Sequence, residues 1–452
     1  MYLGILVAVI SSLGAPLIPA IAEANGVSVT SAQWALTLPL VMGAVATPVI
    51  GRLGDGPHRR TVVLVVLAVV LVGGVLAALP LGLAWVLVGR ALQGLGLGLT
   101  PVAIATARTM LHGERSRSAV AALSVTVAAG VGLGYPLTGF IAELGGVHAA
   151  FWFGAVASAG ALVAAALVYP ASERIPPRRL DVAGAVLLGV GLATGLLAVG
   201  EGETWGWGSP AVVGLAVVAV CLLAAWVFWQ LRAEAPLVDL RLARGRGAAA
   251  AHCGALLAGF ANYLLLSSAP RLAQTPESTG YGFGASIVIA GLVLLPFSVA
   301  SVLASRVAKR LDRVAGPRAV LPLGAMVLGA GLLLFGFVRD QLWELFVGTA
   351  VAGFGVGAIF AALPGLIVAA VPAGETGSAM SATLLEAATP RGADFPTSSG
   401  YGALALVGIG ACVLMAVLTA FAPAPARRVL ADPVVAVDTA DAATAPHDSS
   451  AS

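Results

Sequence analysis

Long apolar runs separated by short polar turns fill the chain from residue 2 to residue 421. They fall at 2–22, 31–51, 61–80, 83–105, 118–141, 148–169, 182–200, 209–231, 248–268, 284–305, 319–338, 342–371 and 401–421. A helix needs about 20 apolar residues to cross a bilayer core, and these runs have that length. Strands of a membrane barrel would instead alternate over short segments. The pattern therefore predicts an all-α polytopic membrane protein. One region breaks the rhythm. Gly377 to Ala388 can be helical, but about twelve residues rise only about 18 Å, and Pro390, Arg391, Asp394 and Pro396 follow. This stretch reads either as a short or re-entrant fourteenth segment or as a loop in a protein with thirteen crossings. From Ala422 onward the chain is rich in Ala, Pro, Asp and Ser, and it reads as a disordered tail.

Composition removes the soluble alternative. Of 452 residues, 59% are hydrophobic and 10% charged, where a soluble domain carries about 25% charged residues. The mean hydropathy is +0.99. The 57 glycines suit helices that approach closely in lipid, where apolar burial between helices gains little. The net charge of +3 reads as a topology signal, because the cations are unevenly placed. Arg52, Arg59 and Arg60, then Arg108, Arg115 and Arg117, then Arg174, Arg178 and Arg179 all fall in alternate turns. The same side takes Arg232, Arg241, Arg244 and Arg246, then Arg306, Lys309, Arg310, Arg313 and Arg318, while the opposite turns hold Arg271 and Arg339. This bias places the N-terminus in the cytoplasm of a multi-pass cell-membrane protein. Residues 1–10 contain no Lys or Arg, so 2–22 is expected to stay as the first helix and not to be cleaved as a signal peptide. Cys221, Cys253 and Cys412 lie in apolar runs without disulfide or metal spacing.

Three stretches carry candidate chemistry. The turn Gly51-Arg52-Leu53-Gly54-Asp55-Gly56-Pro57-His58-Arg59-Arg60 joins the second and third runs. An Asp55 carboxylate there can complement a helix N-terminus and pair with Arg59. Arg90 and Gln93, in Arg90-Ala91-Leu92-Gln93-Gly94-Leu95-Gly96, share one helix face. Arg90 lies roughly 10 Å deep, where a charge must face a partner or a cavity. In the fifth run, Gly130 and Gly134 form a groove for a neighbouring helix, and Pro136 kinks it before Gly139.

These stretches resemble signatures of the major facilitator superfamily. The loop G-x-L-x-D with a basic pair resembles the gating loop between helices 2 and 3, with Gly51, Asp55, Arg59 and Arg60 as its residues; Gly56 and His58 depart from the pattern. R-x-x-Q-G-x-G resembles the fourth-helix motif associated with proton coupling, which implies that role for Arg90 and Gln93. Gly130, Gly134, Pro136 and Gly139 resemble the antiporter motif of drug exporters, with Tyr135 interposed. The central runs, Trp205-Gly206-Trp207-Gly208-Ser209-Pro210 between them, and Gly374 to Met380 resemble the fourteen-helix drug/proton antiporter subfamily.

The resemblance implies the major facilitator fold: two six-helix bundles at 1–170 and 247–421, two extra central helices at 171–246, a shortened penultimate segment, and the tail at 422–452. It implies export of hydrophobic or amphipathic small molecules by proton antiport and alternating access, with importers or facilitators of the same fold and transport-defective relatives as alternatives. Gln33, Trp34, Phe260, Asn262 and Tyr263 are the polar and aromatic candidates for a substrate cavity. Glu344 and Glu386 are the acidic candidates near membrane depth in the second half, and His252 reads as a packed core residue. No nucleotide loop, Ser/His/Asp set or metal cluster is present. The expectation is a monomeric non-enzyme without cofactor or nucleic-acid partner, driven by the proton gradient. Single cysteines at positions 115, 178, 244 and 309 should all escape an impermeant thiol reagent applied to intact cells. Free labelling of two of them would break the helix count.

Overall fold

The computed structural model describes residue 6 and residues 13–54, 56–111, 113–169, 180–238, 240, 246–315, 317–362 and 397–420. Among these residues the chain is helical, and eleven helices are long and apolar enough to cross a membrane. A 3₁₀ turn, Ala15–Leu17, leads into α1 (Ile18–Asn25), which ends at Gly26 in the left-handed region. There follow α2 (Val29–Gly54), α3 (Arg59–Ala78) and α4 (Leu83–Gly94), then a 3₁₀ stretch Leu95–Gly98, then α5 (Leu99–Met110). α6 (Gly113–Val168) is two helices that meet at Gly146, whose φ of 75° reverses the chain without a loop. No residue with a Cβ adopts that region cheaply. α7 (Val182–Gly200) and α8 (Pro210–Arg232) are the central pair. The second half holds α9 (Arg246–Gln274), α10 (Ile287–Leu292), α11 (Leu295–Ala315), α12 (Pro317–Phe337), α13 (Leu342–Ala362) and α14 (Ser398–Ala420). Pro296 cannot donate to the helical ladder where α10 gives way to α11.

Most of the apolar runs locate these helices to within a few residues, but α9 continues past the expected 268 to Gln274 and α11 past the expected 305 to Ala315. The first expected span, 2–22, continues as α1 to Asn25, because no glycine or proline lies between Ala22 and Gly26. The expected span 342–371 is described as helix up to Ala362. Residues 363–371, the stretch from Gly377 to Pro396 and the tail from 422 lie outside the described residues.

Two apolar cores form in the first half, one around Leu13, Ile21 and Phe151 and one around Val63, Leu67 and Leu99. A third fills the second half around Leu264, Leu328 and Phe335. Small residues set the helix spacing there. Gly331 faces Ala352 and Gly324 faces Ile359, so α12 and α13 run antiparallel; Gly336 faces Ala405 and Gly329 faces Cys412, so α14 also runs antiparallel to α12. It follows that Ala362 and Ala420 lie at the end of α12 that carries Pro317, the arginine-rich face, while Ser398 lies at the arginine-poor face. The described ends that flank 363–396 are thus on opposite faces.

The central pair sits at the side of the first half. α7 lies along α2, with Gly189 against Val45 and Gly200 against Trp34. α8 lies against α7, with Gly195 against Ala219 and Gly191 against Leu223. Only 17% of the α8 span is buried, against 72% for α9, so α8 presents most of its surface to lipid. One carboxylate ties the pair together at the arginine-rich face. Asp181 caps α7 through Gly184 N–H (2.8 Å) and accepts Trp229 Nε1–H (2.9 Å), Gln230 Nε2–H (2.9 Å) and Leu237 N–H (3.4 Å). Burial would raise its pKa, but these hydrogen bonds to the charged form outweigh burial and hold it below the usual value. The folded state therefore favours the carboxylate more than the unfolded chain does. The stabilisation is full above the ordinary carboxylate pKa and fades as pH falls through the lowered one. Asp181→Asn, which turns a donor toward two of these four donors, should destabilise the pair by about 1–3 kcal/mol and flatten the acid limb of a melting-temperature profile. An unchanged profile would remove the clasp.

Candidate functional site

Helix α4 carries the largest fully buried side chain of the described protein, Arg90, at 1% exposure. Its Nε donates to the carbonyl of Ala35 on α2 (2.8 Å) and its Nη1 donates to Gln93 Oε1 (2.7 Å). Local backbone makes this geometry possible. Gly94 leaves no room for a Cβ against the Pro39 carbonyl of α2, so α2 and α4 touch backbone to backbone. The 3₁₀ stretch Leu95–Gly98 follows immediately, which is where helices commonly store a hinge. Gln93 is 0% exposed, and its Nε2, near Gly154 of α6, is buried without a hydrogen-bond partner among the described residues.

Tyr135 connects this pair to the second half. It is 4% exposed, belongs to the apolar core of the second half, and lies near Arg90 and near Tyr263 of α9. The glycine and proline pattern places it there. A Cβ at Gly139 would stand 2.9 Å from the Ile287 carbonyl, and one at Gly291 would stand 2.7 Å from the Tyr135 carbonyl. The first part of α6 and α10 therefore cross in contact. Gly134 is buried and Pro136 half-buried in this crossing, and the Thr138 hydroxyl donates to the Gly134 carbonyl (2.8 Å). Gly130 lies on the same helix, with surroundings outside the description. Asn262, beside Tyr263, is 7% exposed, and its Oδ1 is buried without a hydrogen-bond partner among the described residues. Phe260 packs half-buried against the core of the second half.

Two candidates take other places. Trp34 lies against Gly200, where a Cβ would come within 2.8 Å of its ring, so it packs α2 onto the central pair; Gln33, next to it, is buried. Glu344 is a helix cap, accepting Gln341 N–H at the surface (2.9 Å). It therefore does not sit at membrane depth as expected: a carboxylate in the first turn of a helix satisfies otherwise orphaned amides. Glu386 and the surroundings of His252 lie outside the described residues.

The expected gating loop ties helices of the first half to each other. Arg59 Nε donates to the Gly54 carbonyl (2.6 Å) and Nη1 to Thr109 Oγ1 on α5 (3.1 Å). Arg60 Nη2 donates to the Ala166 carbonyl on α6 (2.7 Å), and the Thr106 and Tyr169 hydroxyls meet at 2.6 Å. Asp55, the expected partner of Arg59, lies outside the described residues. A Cβ at Gly51 would meet open space, so packing gives no reason for glycine there. Sequence reasoning passed over Tyr135 as an interruption and missed Gly291 and Asp181, because their partners are distant in the chain.

Arg90 and Gln93 act as a unit, so their substitutions should not add. Gln93→Leu leaves the guanidinium short of an acceptor and should destabilise by about 1–3 kcal/mol. Adding Arg90→Met should recover part of that loss, because removing both partners of a buried pair costs less than removing one. Additive losses in detergent melting would show that the pair is uncoupled.

Comparison with known proteins agrees with this architecture. A family model described as Major Facilitator Superfamily matches residues 1–184 and 251–389, leaving most of the central pair between the two matched blocks. The chain is 30% identical over 345 residues to an uncharacterized MFS-type transporter of Mycobacterium tuberculosis, covering 75% of this chain and 49% of the relative. It is 27% identical to a triacylglyceride transporter of Mycolicibacterium smegmatis (75% and 63% covered) and 27% identical to a multidrug resistance protein B homolog of Mycobacterium tuberculosis (74% and 62% covered). The chain thus spans about half to two thirds of the length of these relatives. The family match over both halves, together with the bundle architecture, makes this multi-pass membrane protein a member of the Major Facilitator Superfamily.

Proposed function

We propose that the chain is a secondary transporter that exports hydrophobic or amphipathic small molecules by proton antiport, in the manner of the fourteen-helix drug/proton antiporters. The observation that carries the reading is the polar island of Arg90, Gln93, Tyr135 and Tyr263 where the two halves meet, set among apolar cores. Buried ionisable groups inside a helical membrane protein mark substrate or ion pathways, and sites between repeated halves serve alternating access. The mostly apolar surroundings favour ligands held by shape and desolvation. The relatives named as a multidrug resistance protein and a triacylglyceride transporter point to the same class of cargo. In this reading the arginine-rich face is cytoplasmic, the N-terminus and Ala420 included, and the working unit is a monomer in the cell membrane.

The test is reconstitution in proteoliposomes with a lipophilic dye and a pH-sensitive reporter inside. Export coupled to protons predicts dye movement driven by an imposed proton gradient, with matching counter-movement of protons. Dye flux that ignores the gradient would replace the antiporter with a facilitator, and flux confined to the inward direction would make it an importer.

A further inference from the structure

Among the described residues, the seam between the halves at the arginine-poor face carries a polar tie and an apolar plug. Gln274, the last residue of α9, donates from Nε2 to the Pro16 carbonyl of the first half (3.1 Å) and to the Pro270 carbonyl of its own helix (3.2 Å). The Pro16 carbonyl lies in the 3₁₀ turn that precedes α1. Its 3₁₀ donor would be the residue three positions on, which is Pro19 and has no N–H. An acceptor is therefore available where the opposite half can reach it. Beside the tie, Ile287 at the start of α10 packs into the apolar cluster of the first half.

Gln274 is also rigidly presented. The chain after it folds back, with Ala285 N–H on the Ala273 carbonyl and Gly284 N–H on the Thr275 carbonyl, both at 2.8 Å. The Thr275 hydroxyl meets that of Tyr401 on α14 at 3.5 Å. The amide is thus fixed to the body of the second half and to nothing mobile.

We propose that Gln274 is the latch of this seam: a positioning residue whose amide, on the Pro16 carbonyl, holds the arginine-poor side closed and releases it once per transport cycle. The chemistry suits the task. A neutral amide–carbonyl bond contributes a severalfold bias, enough to tilt two populated states without trapping either, and a ligand or proton with modest differential affinity can reverse it. The proposal rests on the transport reading for its purpose, but its test needs no substrate.

The test places Ile287→Cys in a background carrying Cys221→Ser and Cys253→Ser, since those two native thiols are exposed and Cys412 is buried. Intact cells are exposed to a membrane-impermeant maleimide, and the labelling rate is read. Gln274→Leu and Gln274→Glu both lose the donor and should each raise the rate about fivefold, the population shift of one neutral hydrogen bond, at an unchanged melting temperature. Gln274→Lys keeps a donor of similar reach and should stay near the parent rate. Equal rates in all four proteins would overturn the latch, as would an equal rise in Gln274→Lys, which would assign the effect to packing. Dye transport that fails in the parent would sink the transport reading while leaving the labelling result intact.

Discussion

A guanidinium buried in a bilayer-length bundle has no water to solvate it, so every part of it must find a fixed acceptor. Arg90 meets this demand with the Ala35 carbonyl and the Gln93 amide, and the surrounding structure is arranged to bring those acceptors within reach. Backbone contact between α2 and α4 at Gly94 and Pro39 places Ala35 close enough. The 3₁₀ stretch after Gly94 separates α4 from α5. Tyr135 then carries the polar region to the second half, and the glycine crossing at Gly139 and Gly291 allows α6 and α10 to approach closely enough for it to do so.

The rest of the molecule follows a division between tight and loose contacts. Within each half, small residues let helices touch over long lengths, and side-chain ties such as Arg59 to Thr109 and Arg60 to Ala166 bind helix ends to one another. Between the halves, the described contacts include a glycine crossing, Tyr135 in the core of the second half, an apolar plug and one neutral hydrogen bond. Strong ties inside and weak ones between are what two rigid bodies need if they are to rock.

The helices were legible because membrane burial writes itself as uninterrupted apolar length, and the turns because arginine, glycine and proline punctuate them. Arg90 and Gln93 stood out because polar side chains are rare inside such runs. Their partners did not stand out: a backbone carbonyl such as that of Ala35 or Pro16 leaves no trace in a side-chain pattern. Trp34 stood beside Gln33 as an aromatic candidate for a cavity, and only the placement of Gly200 shows what it packs against. Glu344 looked deep because the run containing it is long; its capping bond shows that the helix starts just before it. Asp181 could be read as a helix start, but its four donors come from residues about 50 positions away as well as from its own turn.

If the two halves rock about this crossing, as proposed, one face opens as the other closes. Spin labels at Ala24 and Ser278 would span the seam at the arginine-poor face, and labels at Arg115 and Arg310 would span it at the arginine-rich face; all four positions are exposed. Distances measured in lipid nanodiscs as pH is stepped and a lipophilic dye is added should change in opposite directions, one pair lengthening while the other shortens. Distances that stay fixed in both pairs, or that lengthen together, would contradict the account.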